Sequence, residues 1–243
     1  MQRKKSSYEK YGKRVLDIIF SMLFLLLFCW LYLILAILVR IFMGSPVLFT
    51  QPRPGMTDKK TGKETIFDMY KFRTMTDARD EKGNLLPDAD RLPKFGAFLR
   101  STSLDELPEI FNILKGDMSF VGPRPQLVRD MVFMDENQRM RHTAKPGLTG
   151  LAQVRGRNGI SWEEKIDWDL KYIEKVSFFG DIKILFDTVS AVAKKDGITD
   201  GENATALDYG DTLLKEGKVT RERYDVLQEE AKKLLEEHEK RHE

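Results

Sequence analysis

The chain has 243 residues and a formal net charge of +2, from 40 Lys and Arg against 38 Asp and Glu. Its length suits one catalytic domain with appendages, and so even a balance excludes a chain-wide nucleic-acid-binding surface. A single cysteine, Cys29, excludes an internal disulfide or cysteine-based zinc site, and His142, His238 and His242 are too scattered for a histidine metal cluster.

Residues 1–14 form a basic flank in which Arg3, Lys4, Lys5, Lys10, Lys13 and Arg14 face Glu9 alone. From Ile18 to Val39 about 22 residues pass without a charge, enough to cross a bilayer core. That run is too long for a signal peptide and lacks a small-residue cleavage site after it, so residues 15–43 are expected to be a membrane helix. Arg40, Arg53, Lys59, Lys60 and Lys63 follow it. The positive-inside rule therefore draws both flanks to the cytoplasmic face, which a re-entrant helix satisfies and a single straight span does not. No proline occurs between Val15 and Ser45 to kink it. Ser21 and Cys29 offer the weaker lever of side-chain bonds back to carbonyls.

Residues 44–197 read as one domain of mostly short helices with small β elements. Gly44 to Gly55 is a punctuated exit from the apolar run. Thr65 to Met75 alternates as a short strand, with Lys71 and Arg73 on one face. Asp77 to Arg91 is a surface loop, and Leu92 to Leu99 a short helix. Ser103-Leu-Asp-Glu106 carries two readings. It has the spacing of a helix capping box, with Glu106 reaching back to Ser103. It also sets adjacent carboxylates, Asp105 and Glu106, between Arg100 and the rigid Pro123-Arg124-Pro125. Carboxylates among arginines suit a site for phosphate and a hard divalent cation on oxygen ligands, where an Asp can serve as nucleophile.

Pro108 to Lys115 reads as a helix stopped by Gly116, with Asn112 on its solvated side. Gln126 to Met140 is expected to be a charged amphipathic helix, Lys145-Pro-Gly147 a turn, and Leu148 to Val154 a short strand. Gly156 to Gly159 is a loop offering Arg155 and Arg157 to an anion. Ser161-Trp-Glu-Glu164 repeats the capping-box spacing and opens a helix through Val176. Ser177 to Lys194 has a broad apolar face, including Phe178, Phe179, Phe186 and Val189, for a membrane interface or for burial on the domain. Residues 198–243 are read as a linker and a charged helix. Its Tyr224, Leu227, Ala231, Leu234 and Leu235 recur at helical spacing, a candidate oligomerisation or docking element.

Several of these stretches occur together in one known family. Tyr70-Lys-Phe-Arg-Thr-Met75, Ser103-Leu-Asp-Glu-Leu107, Lys115 to Pro125, Lys145 to Val154 and Gly156-Arg-Asn158 resemble, in order, the bacterial sugar transferases called monotopic phosphoglycosyl transferases. The likeness runs from about Tyr11 to Gly197, and several long motifs in sequence are far more specific than any one of them. It implies transfer of a phospho-sugar from a UDP-sugar to polyprenol (undecaprenyl) phosphate at the cytoplasmic face of the bacterial inner membrane. UMP would be released, as a first membrane step of surface glycan assembly. Asp105 would be the nucleophile, forming a covalent phospho-sugar enzyme, with Glu106 assisting and both carboxylates holding Mg²⁺. Arg124 between Pro123 and Pro125 is the first candidate for the phosphates, then Arg100, Arg73 and Lys71; Gln153, Arg157 and Asn158 are candidates for the nucleotide or sugar. The family commonly breaks its membrane helix with a Ser-Pro pair, where this chain has Cys29-Trp30. Two other functions fit the residues alone: a membrane-tethered scaffold acting through the carboxy-terminal helix, and a glycosyltransferase releasing UDP.

Overall fold

The computed structural model describes residues 3–156, 159–193 and 207–241. A π-helical turn at Tyr8–Gly12 leads into helix α1, Lys13–Met43, which is α-helical throughout. Strands β1 (Leu48–Thr57) and β2 (Glu64–Phe72) form an antiparallel hairpin, with Leu48 opposite Phe72 and Thr50 opposite Tyr70. Short helices α2 (Asp88–Arg91), α3 (Lys94–Ser101) and α4 (Glu109–Lys115) follow. Strand β3 (Ser119–Val121) pairs in parallel with β4 (Gly147–Thr149), and between them lie α5 (Val128–Met131) and α6 (Glu136–Arg139). Then come α7 (Leu151–Arg155), α8 (Trp162–Glu174), α9 (Phe178–Ala193), α10 (Tyr209–Lys215) and α11 (Arg221–Glu239). This is the expected mixed architecture of short helices and two small sheets on one long apolar helix.

Two stretches differ from the sequence reading. The single helix expected over Gln126 to Met140 is two turns of helix separated by a break. Asp130 turns its carboxylate to the backbone N–H groups of Leu127 and Tyr209, and Asp135 caps a new start at α6 through the Gln138 N–H. The strand expected over Leu148 to Val154 ends at Thr149 and becomes α7, because β4 has only the three residues of β3 to pair with.

α1 is packed to the domain along one side. At its start the Arg14 guanidinium donates to the carbonyls of Ile113 and Leu114. Asp17 accepts from the Ser119 hydroxyl at 3.0 Å and the Phe120 N–H at 3.2 Å. Midway, the Tyr32 hydroxyl donates to the Leu107 carbonyl at 2.7 Å. Towards its end, Leu35, Val39 and Met43 are buried with Phe72 and Leu99. The opposite face, including Met22, Leu26, Trp30, Leu33, Ile37 and Ile41, is exposed. So large an apolar surface is one a soluble monomer does not keep. α9 divides the same way: Ile184 packs into the core, while Phe179 is 82% exposed and Phe186 and Val189 face outward. The burial reading thus holds for the Ile184 side, and the opposite side leaves its apolar residues exposed.

The carboxy-terminal helix is not a free arm. Leu227 and Ala231 are buried against Val128, Met131 and Val132 of the α5 region, with Leu234 and Leu235 beside them. The linker expected over Asp200 to Asp211 lies outside the described residues up to residue 206, and its end is not a linker: α10 begins at Tyr209, which is buried with Met134 and Ile166.

Candidate active site

Leu104–Glu106 form one 3₁₀ turn, entered through Ser103 in the left-handed conformation (φ 55°, ψ 21°). The Ser103 side chain makes no capping bond, so this stretch is not a capping box. In a 3₁₀ turn successive side chains leave about 120° apart, which sends Asp105 and Glu106 to different partners. α4 starts afresh behind Pro108, which lacks the N–H that an interior position would need.

Glu106 is gripped by two cations. Its Oε1 lies 2.7 Å from Lys71 Nζ and 2.9 Å from an Arg124 guanidinium nitrogen. Lys71 also lies 3.3 Å from the Glu109 carboxylate. Asp105, 9% exposed, takes no hydrogen bond or ion pair among the described residues.

Each cation is set by its own scaffold. Lys71 sits near the end of β2, and the free edge of that strand is held by Asn112. The Asn112 carbonyl oxygen accepts from the Tyr70 N–H at 3.0 Å, and its amide donates to the Asp68 carbonyl at 2.7 Å. Asn112 is fully buried, not solvated as expected: its amide supplies the pairing that a third strand would. Arg124 rides on the loop between β3 and α5, with its backbone limited by Pro123 and Pro125. Arg141 donates to the Arg124 carbonyl at 2.6 Å, and Arg53 to the Pro125 carbonyl at 3.3 Å. Arg141 is itself fixed by Asp169 of α8, 3.0 Å from its Nε, in a fully buried pair. The loop carbonyls are thus fixed from beneath, while the Arg124 side chain remains 42% exposed at the mouth.

The charges polarise one another. Burial pushes the Asp105 carboxyl up to about 6, the neighbouring Glu106 charge adds to it, and Lys71, Arg100 and Arg124 oppose it. Burial would raise Glu106 as well, but Lys71 and Arg124 hold it well below the usual carboxylate range. Burial, and then the Glu106 charge, push Glu109 up to about 7. Glu106 in turn raises Arg124. Of two adjacent carboxylates, one is therefore locked as an anion by cations, and the other is an unpaired group ionised above about pH 6. An unpaired carboxylate beside cations that can bind phosphate is the arrangement a nucleophile or a hard-cation ligand needs.

The remaining candidates divide. Arg100 is close enough to lower the Asp105 carboxyl and anchors its Nε on the Thr74 hydroxyl at 3.0 Å. Arg73 is not brought to the pair. It lies one residue past the end of β2 and spends its guanidinium on the Ser45 and Met75 carbonyls and on Asp77, so it fastens the exit from α1. The shared face read for Lys71 and Arg73 is lost because the strand ends at Phe72. Gln153 donates to the Leu148 carbonyl at 3.1 Å and leaves a buried carbonyl oxygen without a partner among the described residues. Arg157 and Asn158 lie outside the described residues. Glu109, Asn112, Arg53, Arg141 and Asp169 were not singled out for the site from sequence, since none stands in a pattern that marks it. For Mg²⁺, the donor set is Asp105 and the part of Glu106 not turned to cations. No group of three or more potential ligands occurs among the described residues. Mg²⁺ binds through one or two carboxylates together with substrate phosphates, and the unpaired Asp105 is a donor of that chemistry.

Comparison with known proteins places this site in a family. Residues 8–195 match the family described as bacterial sugar transferase, and the chain belongs to it. It is 47% identical over 194 residues to the uncharacterized sugar transferase EpsL of Bacillus subtilis (strain 168), covering 80% of this chain and 93% of that protein. It is 41% identical over 190 residues to the UDP-glucose:undecaprenyl-phosphate glucose-1-phosphate transferase of Klebsiella pneumoniae, covering 73% of this chain and 39% of that one. With the exopolysaccharide production protein ExoY of Rhizobium meliloti (strain 1021) it shares 35% identity over 203 residues, 76% of this chain and 87% of that protein. The chain thus spans most of two of these relatives and about two-fifths of the Klebsiella protein. It is a transferase, and α1 makes it a membrane protein.

Proposed function

We propose that the chain moves a sugar 1-phosphate from a UDP-sugar to polyprenol phosphate, releasing UMP, at the cytoplasmic face of the bacterial inner membrane. The observation that carries this reading is the division of labour between neighbours: Glu106 is neutralised by Lys71 and Arg124, while Asp105 stands unpaired beside them. An Asp105 oxygen attacks the β-phosphorus of the UDP-sugar. The bond from that phosphorus to the bridging oxygen breaks, and UMP leaves with the electron pair. A phosphate oxygen of the lipid then attacks the phospho-sugar on Asp105, and the carboxylate departs, restoring the enzyme.

Lys71 and Arg124 draw the anionic diphosphate towards a carboxylate that would otherwise repel it, and Arg100 adds to that field. Arg124 provides a planar fork that matches phosphate bidentately. Asp105 and Glu106 would hold Mg²⁺, which when bound supplies further charge neutralisation at the phosphoryl oxygens. The polyprenol substrate fits a catalytic domain laid along an exposed apolar helix. Screening UDP-sugars with polyprenol phosphate and Mg²⁺ tests the reading. UMP release is expected, UDP release would make the chain a glycosyltransferase, and no release with any sugar would favour a scaffold.

For the membrane segment we propose a helix that enters and leaves by the cytoplasmic face. Thirty-one residues of helix extend about 46 Å, and both end regions, at Arg14 and at Met43, touch the same domain. A span perpendicular to a core about 30 Å thick would carry one end away from that domain. Where the family uses Ser-Pro, Cys29 Sγ bonds back to the Leu26 carbonyl at 3.7 Å and Trp30 Nε1 to the Leu27 carbonyl at 3.0 Å, a local lever for bending. A cysteine placed at Ser6 in a Cys29→Ser background should react with an impermeant thiol reagent only after cells are permeabilised. Labelling of intact cells would mean that the helix crosses.

A further inference from the structure

The family match ends at residue 195, so α10 and α11 lie wholly beyond it. They are nevertheless built into the domain next to the site. α11 buries Leu227 and Ala231 against Val128, Met131 and Val132, and the same cluster takes in Ile66 of β2. At the far end of α11, His238 Nε2 lies 3.1 Å from Asp68 Oδ1, again on β2. At the near end of the segment, the Tyr209 N–H donates to Asp130 of α5 at 2.9 Å, and Asp208 pairs with Arg129. Both places that this segment grips lie a short way along the chain from a site cation. Asp68 stands three residues before Lys71, and Val128 four residues after Arg124. Those two cations meet on a single oxygen of Glu106.

We propose that residues 207–241 are a brace that fixes β2 and α5 relative to each other, and so sets how Lys71 and Arg124 close on Glu106 and on the substrate phosphates. Ala231, Leu227 and His238 are positioning residues: they touch neither the carboxylates nor the phosphates, and act through the two cations. A side chain of any length at Ala231 must lift α11 from α5, whereas loss of His238 removes its tie to Asp68 on β2. This rests on the transferase reading, and the grip matters because small displacements of a positioned group cost rate steeply.

The experiment is a double-mutant cycle in the full chain, read as UMP release from UDP-sugar, with folding followed by circular dichroism. Ala231→Glu and His238→Ala are each expected to lower the rate about tenfold with the fold retained. His238→Gln, which keeps a donor for Asp68, is expected to restore most of the His238→Ala loss. Combined with Arg124→Lys, either brace variant should cost little more than Arg124→Lys alone, because the contact through which it acts is already impaired. If Ala231→Glu does not fold, His238→Ala decides. Full activity of His238→Ala, or losses that simply multiply with Arg124→Lys, would overturn the brace and leave the segment a plain stabiliser. A wild type that releases no UMP from any UDP-sugar removes the transferase reading and this inference with it. An active wild type with indifferent brace variants removes the brace alone.

Discussion

Ser103-Leu-Asp-Glu106 and Ser161-Trp-Glu-Glu164 share the same spacing of serine and glutamate, yet only the second caps a helix. At α8 the Ser161 hydroxyl accepts from the Glu164 N–H at 3.1 Å, and the Glu164 carboxylate accepts from the Ser161 N–H at 2.9 Å. At Ser103 the backbone turns left-handed, no cap forms, and the glutamate goes to Lys71 and Arg124. Two differences decide the outcome. Pro108 moves the helix start beyond the serine, so the turn at 104–106 has no row of orphan N–H groups to satisfy. Two cations within reach also offer bonds charged on both sides, where a cap offers the carboxylate only a neutral N–H. The pattern states what the local chain is able to do, and the tertiary partners choose.

The largest effect that sharpens this contrast is chemical. Asp105→Asn keeps the shape of the turn and removes the unpaired charge, so UMP release should fall by about four orders of magnitude. Next, Glu106→Gln should cost about a hundredfold by releasing Lys71 and Arg124, whereas Glu164→Gln should leave turnover within about twofold, since an amide oxygen still caps. Equal losses in the two glutamine variants would break the comparison. A smaller effect is on stability. The folded Asp105 carboxyl holds its proton up to about pH 6, against 3.8 for the ordinary group. The fold therefore binds more protons than the unfolded chain between those values, and loses stability as pH rises through them. In metal-free buffer at pH 7.5, Asp105→Asn should be more stable than wild type by about 1–3 kcal/mol, the gain vanishing below about pH 4. A denaturation midpoint that Asp105→Asn does not raise at pH 7.5 would contradict that buried charge. The smallest contrast concerns the serines. Ser161→Ala should cost about 1 kcal/mol through loss of its cap, while Ser103→Gly should be neutral or stabilising, because glycine accepts the positive φ. Chemical denaturation of the two variants separates them.

Much of the site was legible because the family motif runs through it: Lys71, Asp105, Glu106 and Arg124 are contiguous with recognisable stretches, and Gly116 ended α4 as its φ of 101° requires. What was illegible is tertiary. Nothing local shows that Asn112 will supply the missing edge of β2, or that Arg141 and Asp169 will support the Arg124 carbonyl. Arg73 misled because two cations at i and i+2 share a face only while the strand lasts. The apolar stripe of α11 announced that it needs a partner, but periodicity carries no information on whether that partner is a second chain or α5. Within the stretch expected as one helix over residues 126–140, Asp130 accepts from the N–H of Tyr209, a residue 79 positions away, a tie that no local pattern announces.

The central claim is that Asp105 is the atom donor to phosphorus while Glu106 is held in reserve by its cations. Intact-protein mass spectrometry after incubation with the UDP-sugar and Mg²⁺, with no lipid acceptor, tests it directly. Wild type should gain the mass of one phospho-sugar, peptide mapping should place it on Asp105, and adding polyprenol phosphate should discharge it. Asp105→Asn should show no adduct. An adduct that persists in Asp105→Asn, or maps to Glu106, would contradict the account.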